Sequence, residues 1–156
     1  MKKLIAELSI ACTLTIGAIF ASATGALAND ILVIDAFARA SATPNPMSGA
    51  AYISVQNNSA EADRLVAISA VGVGSIMLHE TVMTGDVSKM NETAAQNIPP
   101  QGALTMKPGG LHLMLMEMEK PLRKGESLTV VLTFEKAGAL EVVVPIASVG
   151  AVSADN

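Results

Sequence analysis

After residue 29 the chain is a succession of short runs rich in apolar and β-branched residues, and no stretch repeats with the 3.6-residue period of an amphipathic helix. The runs are residues 31–39, 51–56, 63–69, 75–79, 103–107, 111–118, 127–134 and 140–145. Turn-forming residues separate them, including Asn57-Asn58, Gly85-Asp86, Pro99-Pro100 and Pro108-Gly109-Gly110. Many short strands at this spacing predict an all-β chain, a Greek-key sandwich or barrel.

The predicted strands belong to one domain, since 156 residues suit a single core and no repeat or second domain is visible. In the run 127–134, four apolar residues alternate with polar or smaller ones, which predicts one face turned towards the core. These four are Leu128, Val130, Leu132 and Phe134. The last residues, 148–156, are small and polar and are predicted to form a flexible tail.

The first 28 residues are predicted to be a signal peptide. Lys2 and Lys3 form a short basic region, residues 8–20 are apolar or small, and residues 26–28 (Ala-Leu-Ala) suit a signal peptidase. Cleavage before Asn29 leaves a predicted domain at residues 29–147 in the periplasm, with no membrane insertion after cleavage.

Two other interpretations of this segment are weaker. Residues 8–28 carry no charge, as an uncleaved membrane anchor requires, but they lack a basic stop-transfer flank. A lipid anchor on Cys12 is disfavoured because residues 9–11 (Ser-Ile-Ala) are a poor lipobox and the apolar stretch would be cut short.

Cleavage also removes Cys12, the only cysteine of the chain. This excludes a disulfide framework, a thiolate nucleophile, a zinc–thiolate site and a Cys-ligated blue copper centre. The balance of 10 basic and 14 acidic residues argues against a nucleic-acid partner. No Ser-His-acid set or nucleotide-binding loop is visible, so we expect no catalytic residues and no enzymatic activity.

The two histidines, His79 and His112, have methionines at suggestive offsets. Met90 follows His79 by eleven positions, beyond the turn signal at residues 85–86. Met114 lies two positions after His112, so both point to the same face of a strand. A hairpin running from His79 to Met90 is therefore predicted to bring two imidazoles and two thioethers together.

Such a donor set has narrow chemistry. Thioethers are soft neutral ligands that favour Cu(I) over zinc, calcium or magnesium. Neutral imidazole is a common metal ligand, and d¹⁰ ions accept tetrahedral coordination without penalty. The alternative is that the methionines only fill the core and the histidines have ordinary structural roles.

The spacing His-x₁₀-Met-x₂₁-His-x-Met resembles that of the periplasmic copper chaperones known as PCu(A)C. Other segments resemble the family too, and the similarity covers most of residues 31–146. They are Ala51-Tyr52-Ile53, Asn57, Asp63-Arg64-Leu65, Leu78-His79-Glu80, residues 107–110 (Lys-Pro-Gly-Gly) and residues 132–138 (Leu-Thr-Phe-Glu-Lys-Ala-Gly).

The resemblance implies a cupredoxin-like Greek-key β-sandwich that holds one Cu(I) per chain, with His79, Met90, His112 and Met114 at the ligand positions. It also implies delivery of copper towards cytochrome c oxidase subunit II, beside Sco-type proteins. The tail contains no His or Met, so the second, Cu(II) site of some members is not expected. Copper buffering or resistance, and a non-metal interaction module, are the alternative functions.

Overall fold

The structure, a computed structural model, describes residues 30–46, 48–93 and 95–155. The predicted signal peptide and Cys12 lie outside these residues, as does the predicted cleavage position. Within the described residues all regular structure is β-strand, and no helix there is long and apolar enough to cross a membrane.

Ten strands are formed by the described residues. They are β1 (Ile31–Arg39), β2 (Ser48–Asn57), β3 (Asp63–Ala70), β4 (Val73–Thr84), β5 (Val87–Glu92), β6 (Gln96–Ile98), β7 (Ala103–Leu104), β8 (Leu111–Met118), β9 (Ser127–Phe134) and β10 (Gly138–Ala147).

The strands follow one hydrogen-bonded order, β5-β4-β8-β2-β1-β10-β9-β3-β6, with β7 paired to β2. The order divides into a first sheet, β5-β4-β8-β2-β1, and a second sheet, β10-β9-β3-β6, joined where β1 and β10 pair in parallel at Ala38 and Arg39. The remaining pairs among the described strands are antiparallel. The predicted all-β class is confirmed.

The core is a single cluster between the inner faces of the two sheets. Its fully buried side chains include Ile53, Leu113 and Leu115 from the first sheet and Val130, Leu132 and Val144 from the second. The burial pattern of β9 alternates as predicted, with Leu128, Val130, Leu132 and Phe134 buried. Burial of this apolar surface is the main driving force for folding.

The predicted strand bounds are right where the apolar alternation is long, and wrong where other contacts decide. Residues 31–39, 111–118 and 127–134 are strands with the predicted bounds. The run 75–79 extends to Thr84, because β5, which was not predicted as a strand, pairs with it. The run 103–107 is a strand only at residues 103–104, since the backbone of Met106 hydrogen-bonds to the side-chain hydroxyl of Ser54 on β2 and not to the β2 backbone.

The predicted flexible tail, residues 148–156, has an anchoring contact at Ala151. Ala151 is buried, with 1% of its surface exposed, and its carbonyl accepts a hydrogen bond of 2.8 Å from Arg39 Nε. The amide of Ala40 donates to the Ala147 carbonyl just before it. Ala151 therefore contacts the end of β1, while Val149 and Val152 on either side of it are exposed.

Asp63, at the start of β3, ties the turn between β9 and β10 to the second sheet. Its carboxylate accepts hydrogen bonds of 2.7–2.9 Å from the backbone amides of Arg64, Lys136 and Ala137. Burial raises the pKa of Asp63, but the amide hydrogen bonds and the nearby Lys136 charge outweigh it and hold the pKa below its usual value.

Candidate metal centre

The pairing of β4 with β8 places the two histidines side by side. His79 is directly opposite His112, and Met77 is directly opposite Met114. Leu78 and Leu113, which alternate with them, are buried in the core. Successive side chains on a strand point to opposite faces, so the two histidines and two methionines share the outer face of the first sheet.

Met90 is brought to the same face by the β4–β5 hairpin. The turn at Gly85-Asp86 joins Thr84 to Val87, and Gly85 adopts a φ of 63°, which glycine accepts readily. In this register Met90 is opposite Thr81, two residues from His79 on β4. The predicted hairpin between His79 and Met90 is thus present.

Three of the four predicted ligands line one cavity of about 300 Å³ on this face. They are Met90, His112 and Met114. The other walls come from the end of β1, the following loop, the start of β2 and the chain end: Arg39, Ala40, Ser41, Ala42, Ser48, Gly49, Ala50 and Val149. Met90 is half exposed (52%), so the cavity opens to solvent beside a flexible thioether.

His79 does not line this cavity, but its ring lies against that of His112. The two ring centres are 5.9 Å apart and the planes meet at 68°. Two imidazoles that share one metal ion through metal–nitrogen bonds of about 2.0–2.1 Å have ring centres roughly 5–6.5 Å apart. The observed separation is therefore suitable for one ion between the rings.

His112 is oriented by the turn that precedes β8. In residues 107–110, Pro108 comes first after Lys107, Gly109 has a φ of 77°, and the Gly110 amide donates to the Lys107 carbonyl, as in a type II turn. The Gly110 carbonyl then accepts hydrogen bonds from His112 Nδ1 at 2.9 Å and from the Thr81 amide at 3.2 Å. Because a carbonyl only accepts, Nδ1 carries the proton and Nε2 keeps its lone pair for a metal.

His79 differs, because neither of its ring nitrogens has a hydrogen-bond partner among the described residues, although both are buried. A neutral imidazole has one donor and one acceptor, and leaving buried polar groups unpaired is costly. The neighbouring carboxylate of Glu80 makes no hydrogen bond to either nitrogen. A histidine that ligates a metal would have such unpaired nitrogens when the ion is absent.

The donor set suits a soft monovalent ion. Within the described ranges no three His, Cys, Asp or Glu side chains come close enough to hold a metal. The donors beside the two imidazoles are thioethers, which prefer Cu(I) or Ag(I) to zinc or calcium. The assignment of His79, Met90, His112 and Met114 as ligands remains a prediction.

Sequence reasoning did not assign a site role to Met77 or Arg39. Met77 lies two residues before His79 and follows the same alternation that links His112 with Met114. Arg39 lines the cavity through tertiary contacts, which no local sequence pattern predicts.

Comparison with known proteins gives two kinds of match. The family model LpqE-like, described as "Putative lipoprotein LpqE-like", matches residues 31–146. A protein of Leifsonia xyli subsp. xyli, named "Putative lipoprotein Lxx21020", is 33% identical over 98 residues, which are 62% of this chain and 59% of that protein. The chain thus matches about three fifths of this relative's length.

Several solved structures have the same fold. The apo PCuAC domain of PmoF2 is 25% identical with a TM-score of 0.66, covering 80% of this chain and 94% of that domain. The Cu(I) form of DR1885 from Deinococcus radiodurans is 29% identical with a TM-score of 0.58, covering 80% of this chain and 85% of that one. Its apo form is 28% identical with a TM-score of 0.60, covering 94% and 95%. These matches confirm the predicted cupredoxin-like fold and the resemblance to PCu(A)C domains.

Proposed function

We propose that this chain, which belongs to the LpqE-like family of PCu(A)C-type proteins, is an exported copper chaperone that carries one Cu(I) per chain. The observation that carries the proposal is the arrangement on one outer sheet face: Met90, His112 and Met114 line one cavity, and the His79 ring lies against that of His112. Among the described residues, neither buried nitrogen of His79 has a hydrogen-bond partner. The solved Cu(I) form of DR1885, 29% identical to this chain, supports the choice of ion.

In this proposal residues 29–147 form the copper-binding domain. His79, Met90, His112 and Met114 supply the ligands, and all four are neutral when they bind. Four neutral ligands leave a net charge of +1 at the site with Cu(I) and of +2 with a divalent ion. The smaller uncompensated charge favours the monovalent ion. The hydrogen bond from His112 Nδ1 to Gly110 presents Nε2 to the ion without further rearrangement.

The proposed mechanism is ligand exchange at the exposed side of the cavity. Met90 is 52% exposed on a hairpin whose strand β5 is exposed throughout, so an incoming thioether or thiolate reaches it first. Displacement of one neutral ligand at a time keeps copper bound during the transfer. The role is transport of an ion, and no catalytic step is assigned to the chain.

The protein acts outside the cytoplasm, in the periplasm, in this proposal. Both the matched family and the relative from Leifsonia xyli are described as lipoproteins, which fits export. We favour cleavage of a signal peptide at residues 1–28 over a lipid anchor on Cys12, because residues 9–11 are a poor lipobox.

The proposed acceptor is cytochrome c oxidase subunit II or a Sco-type protein, as the family resemblance implies. The competing role is copper buffering or resistance, with the same site and no dedicated acceptor. A deletion strain separates them: loss of oxidase activity at ordinary copper supply supports delivery, whereas loss of copper tolerance with normal oxidase supports buffering.

Competition for Cu(I) against a chromophoric chelator tests the site itself. We expect Met114→Leu and Met90→Leu each to weaken Cu(I) binding by about tenfold or more, since a ligand is lost while size and hydrophobicity are kept. The matched control for Met90 is Met83→Leu, because Met83 is on the same hairpin and is 61% exposed. Equal affinities for the wild type and both ligand variants would contradict the assignment.

A further inference from the structure

Arg39 is the one charged side chain among the described residues that line the cavity of Met90, His112 and Met114. It lies at the end of β1, on the joint between the two sheets. A permanent cation at a cation-binding cavity calls for an explanation, because it opposes the binding of any metal ion there.

The charge of Arg39 is held in place from two sides. Its Nε donates to the Ala151 carbonyl at 2.8 Å, and its guanidinium carbon lies 5.6 Å from the centre of the Tyr52 ring. The Tyr52 ring is in turn 6.3 Å from that of His112. Burial raises the pKa of Tyr52 and the Arg39 cation lowers it, so the charge of Arg39 acts on the ring that lies next to His112.

Among the described residues, Arg39 has no carboxylate in an ion pair with it. The ion pairs found among the described residues are Arg64–Glu135 and Lys136–Glu61, and neither includes Arg39. The cavity lining contains no Asp or Glu. A guanidinium without an ion-pair partner among the described residues therefore lines the cavity where the ion would bind.

We propose that Arg39 is a selectivity residue, a fixed cation that discriminates against divalent ions in favour of monovalent Cu(I) and Ag(I). Coulomb repulsion scales with the charge of the bound ion, so Cu(II) is disfavoured twice as much as Cu(I). If a separation of about 10 Å and an effective dielectric constant of about 20 are taken, each unit of ion charge costs on the order of tenfold in affinity. This inference rests on the proposed function and deepens it.

A purely structural role for Arg39, pinning residues 148–155 to the sheet, is the competing explanation. The structural explanation predicts that substitution of Arg39 changes the Cu(I) and Cu(II) affinities by the same factor or leaves both unchanged. The ratio of the Cu(I) affinity to the Cu(II) affinity separates the two roles, because only a charge effect acts differently on the two ions.

The test compares Arg39→Gln, which removes the charge, with Arg39→Lys, which keeps it. Cu(I) and Cu(II) affinities are measured by competition with a chelator for each ion. We expect Arg39→Gln to strengthen Cu(I) binding about tenfold and Cu(II) binding about a hundredfold, so that the ratio falls about tenfold. The reduction potential of the copper-loaded protein then falls by about 59 mV. Arg39→Lys, and the control Arg64→Gln on β3 of the second sheet, keep the wild-type ratio.

If the wild type binds Cu(I), two results would overturn the inference and leave the proposed function intact. The first is an unchanged affinity ratio in Arg39→Gln. The second is a change of the ratio in Arg39→Lys as large as that in Arg39→Gln. Failure of the wild-type protein to bind Cu(I) overturns the proposed function and the inference together. If Arg39→Gln does not fold, the wild type is titrated in rising sodium perchlorate, where screening should lower its ratio. A constant ratio would contradict the inference.

Discussion

Substitution of His79 should raise the stability of the metal-free protein and reduce the stabilisation that it gains from copper. Both ring nitrogens of His79 are buried without a partner among the described residues. An unpaired buried donor or acceptor costs about 1–3 kcal/mol. Replacing the ring with leucine, His79→Leu, removes both unpaired nitrogens and puts apolar atoms where those nitrogens are shielded from water.

We expect His79→Leu to raise the free energy of unfolding of the metal-free protein by about 1–3 kcal/mol. For a domain of this size that corresponds to a melting temperature higher by roughly 3–10 °C. The matched control is His112→Leu, which loses the hydrogen bond from Nδ1 to the Gly110 carbonyl, so it should bring no such gain.

Urea denaturation followed by far-UV circular dichroism, with a chelator present, measures these differences. Repeating it with Cu(I) adds the second half of the prediction: the wild type gains stability from the ion, and His79→Leu gains much less. A His79→Leu protein less stable than the wild type without metal would refute the reasoning, because the imidazole would then have had partners in solution.

Three further predictions concern pH and processing. Cu(I) affinity should fall between pH 7 and about pH 5, because bound imidazole must be deprotonated; a flat profile would leave a site made of thioethers alone. Asp63→Asn should destabilise the fold by about 1.5–3 kcal/mol at neutral pH. Because the folded-state pKa of Asp63 is lowered, its contribution is present above the ordinary carboxyl pKa of about 3.9 and is lost as the pH falls further, so urea midpoints of wild type and variant should converge in acid. The intact mass of the exported protein should correspond to a chain beginning at Asn29; a mass with a diacylglycerol-modified Cys12 would contradict cleavage there.

The part of the candidate site that depends on local pattern was predictable from the sequence. The alternation of His112 and Met114 on a strand, and the Gly85-Asp86 turn between His79 and Met90, each need only a few neighbouring residues. The same holds for β9, where an unbroken period of two fixes the buried face. The prediction that these residues bind a metal ion rests on the chemistry of their donor atoms and on the resemblance to PCu(A)C proteins.

The remaining features depend on contacts between distant segments. Arg39 reaches the cavity only because β1 pairs with β10 and the chain end packs beside it. The run 103–107 ends early because Ser54, some fifty residues away in sequence, binds the backbone of Met106. The hydrogen bond to the Ala151 carbonyl likewise comes from a residue 112 positions away, which the composition of the chain end does not indicate.

X-ray absorption spectroscopy of the Cu(I)-loaded protein tests the central claim most directly, because it counts sulfur and nitrogen neighbours of the ion. The account predicts two sulfurs and two nitrogens for the wild type, and one sulfur fewer in Met90→Leu and in Met114→Leu. A copper ion with only nitrogen and oxygen neighbours, or a sulfur count that both substitutions leave unchanged, would contradict it.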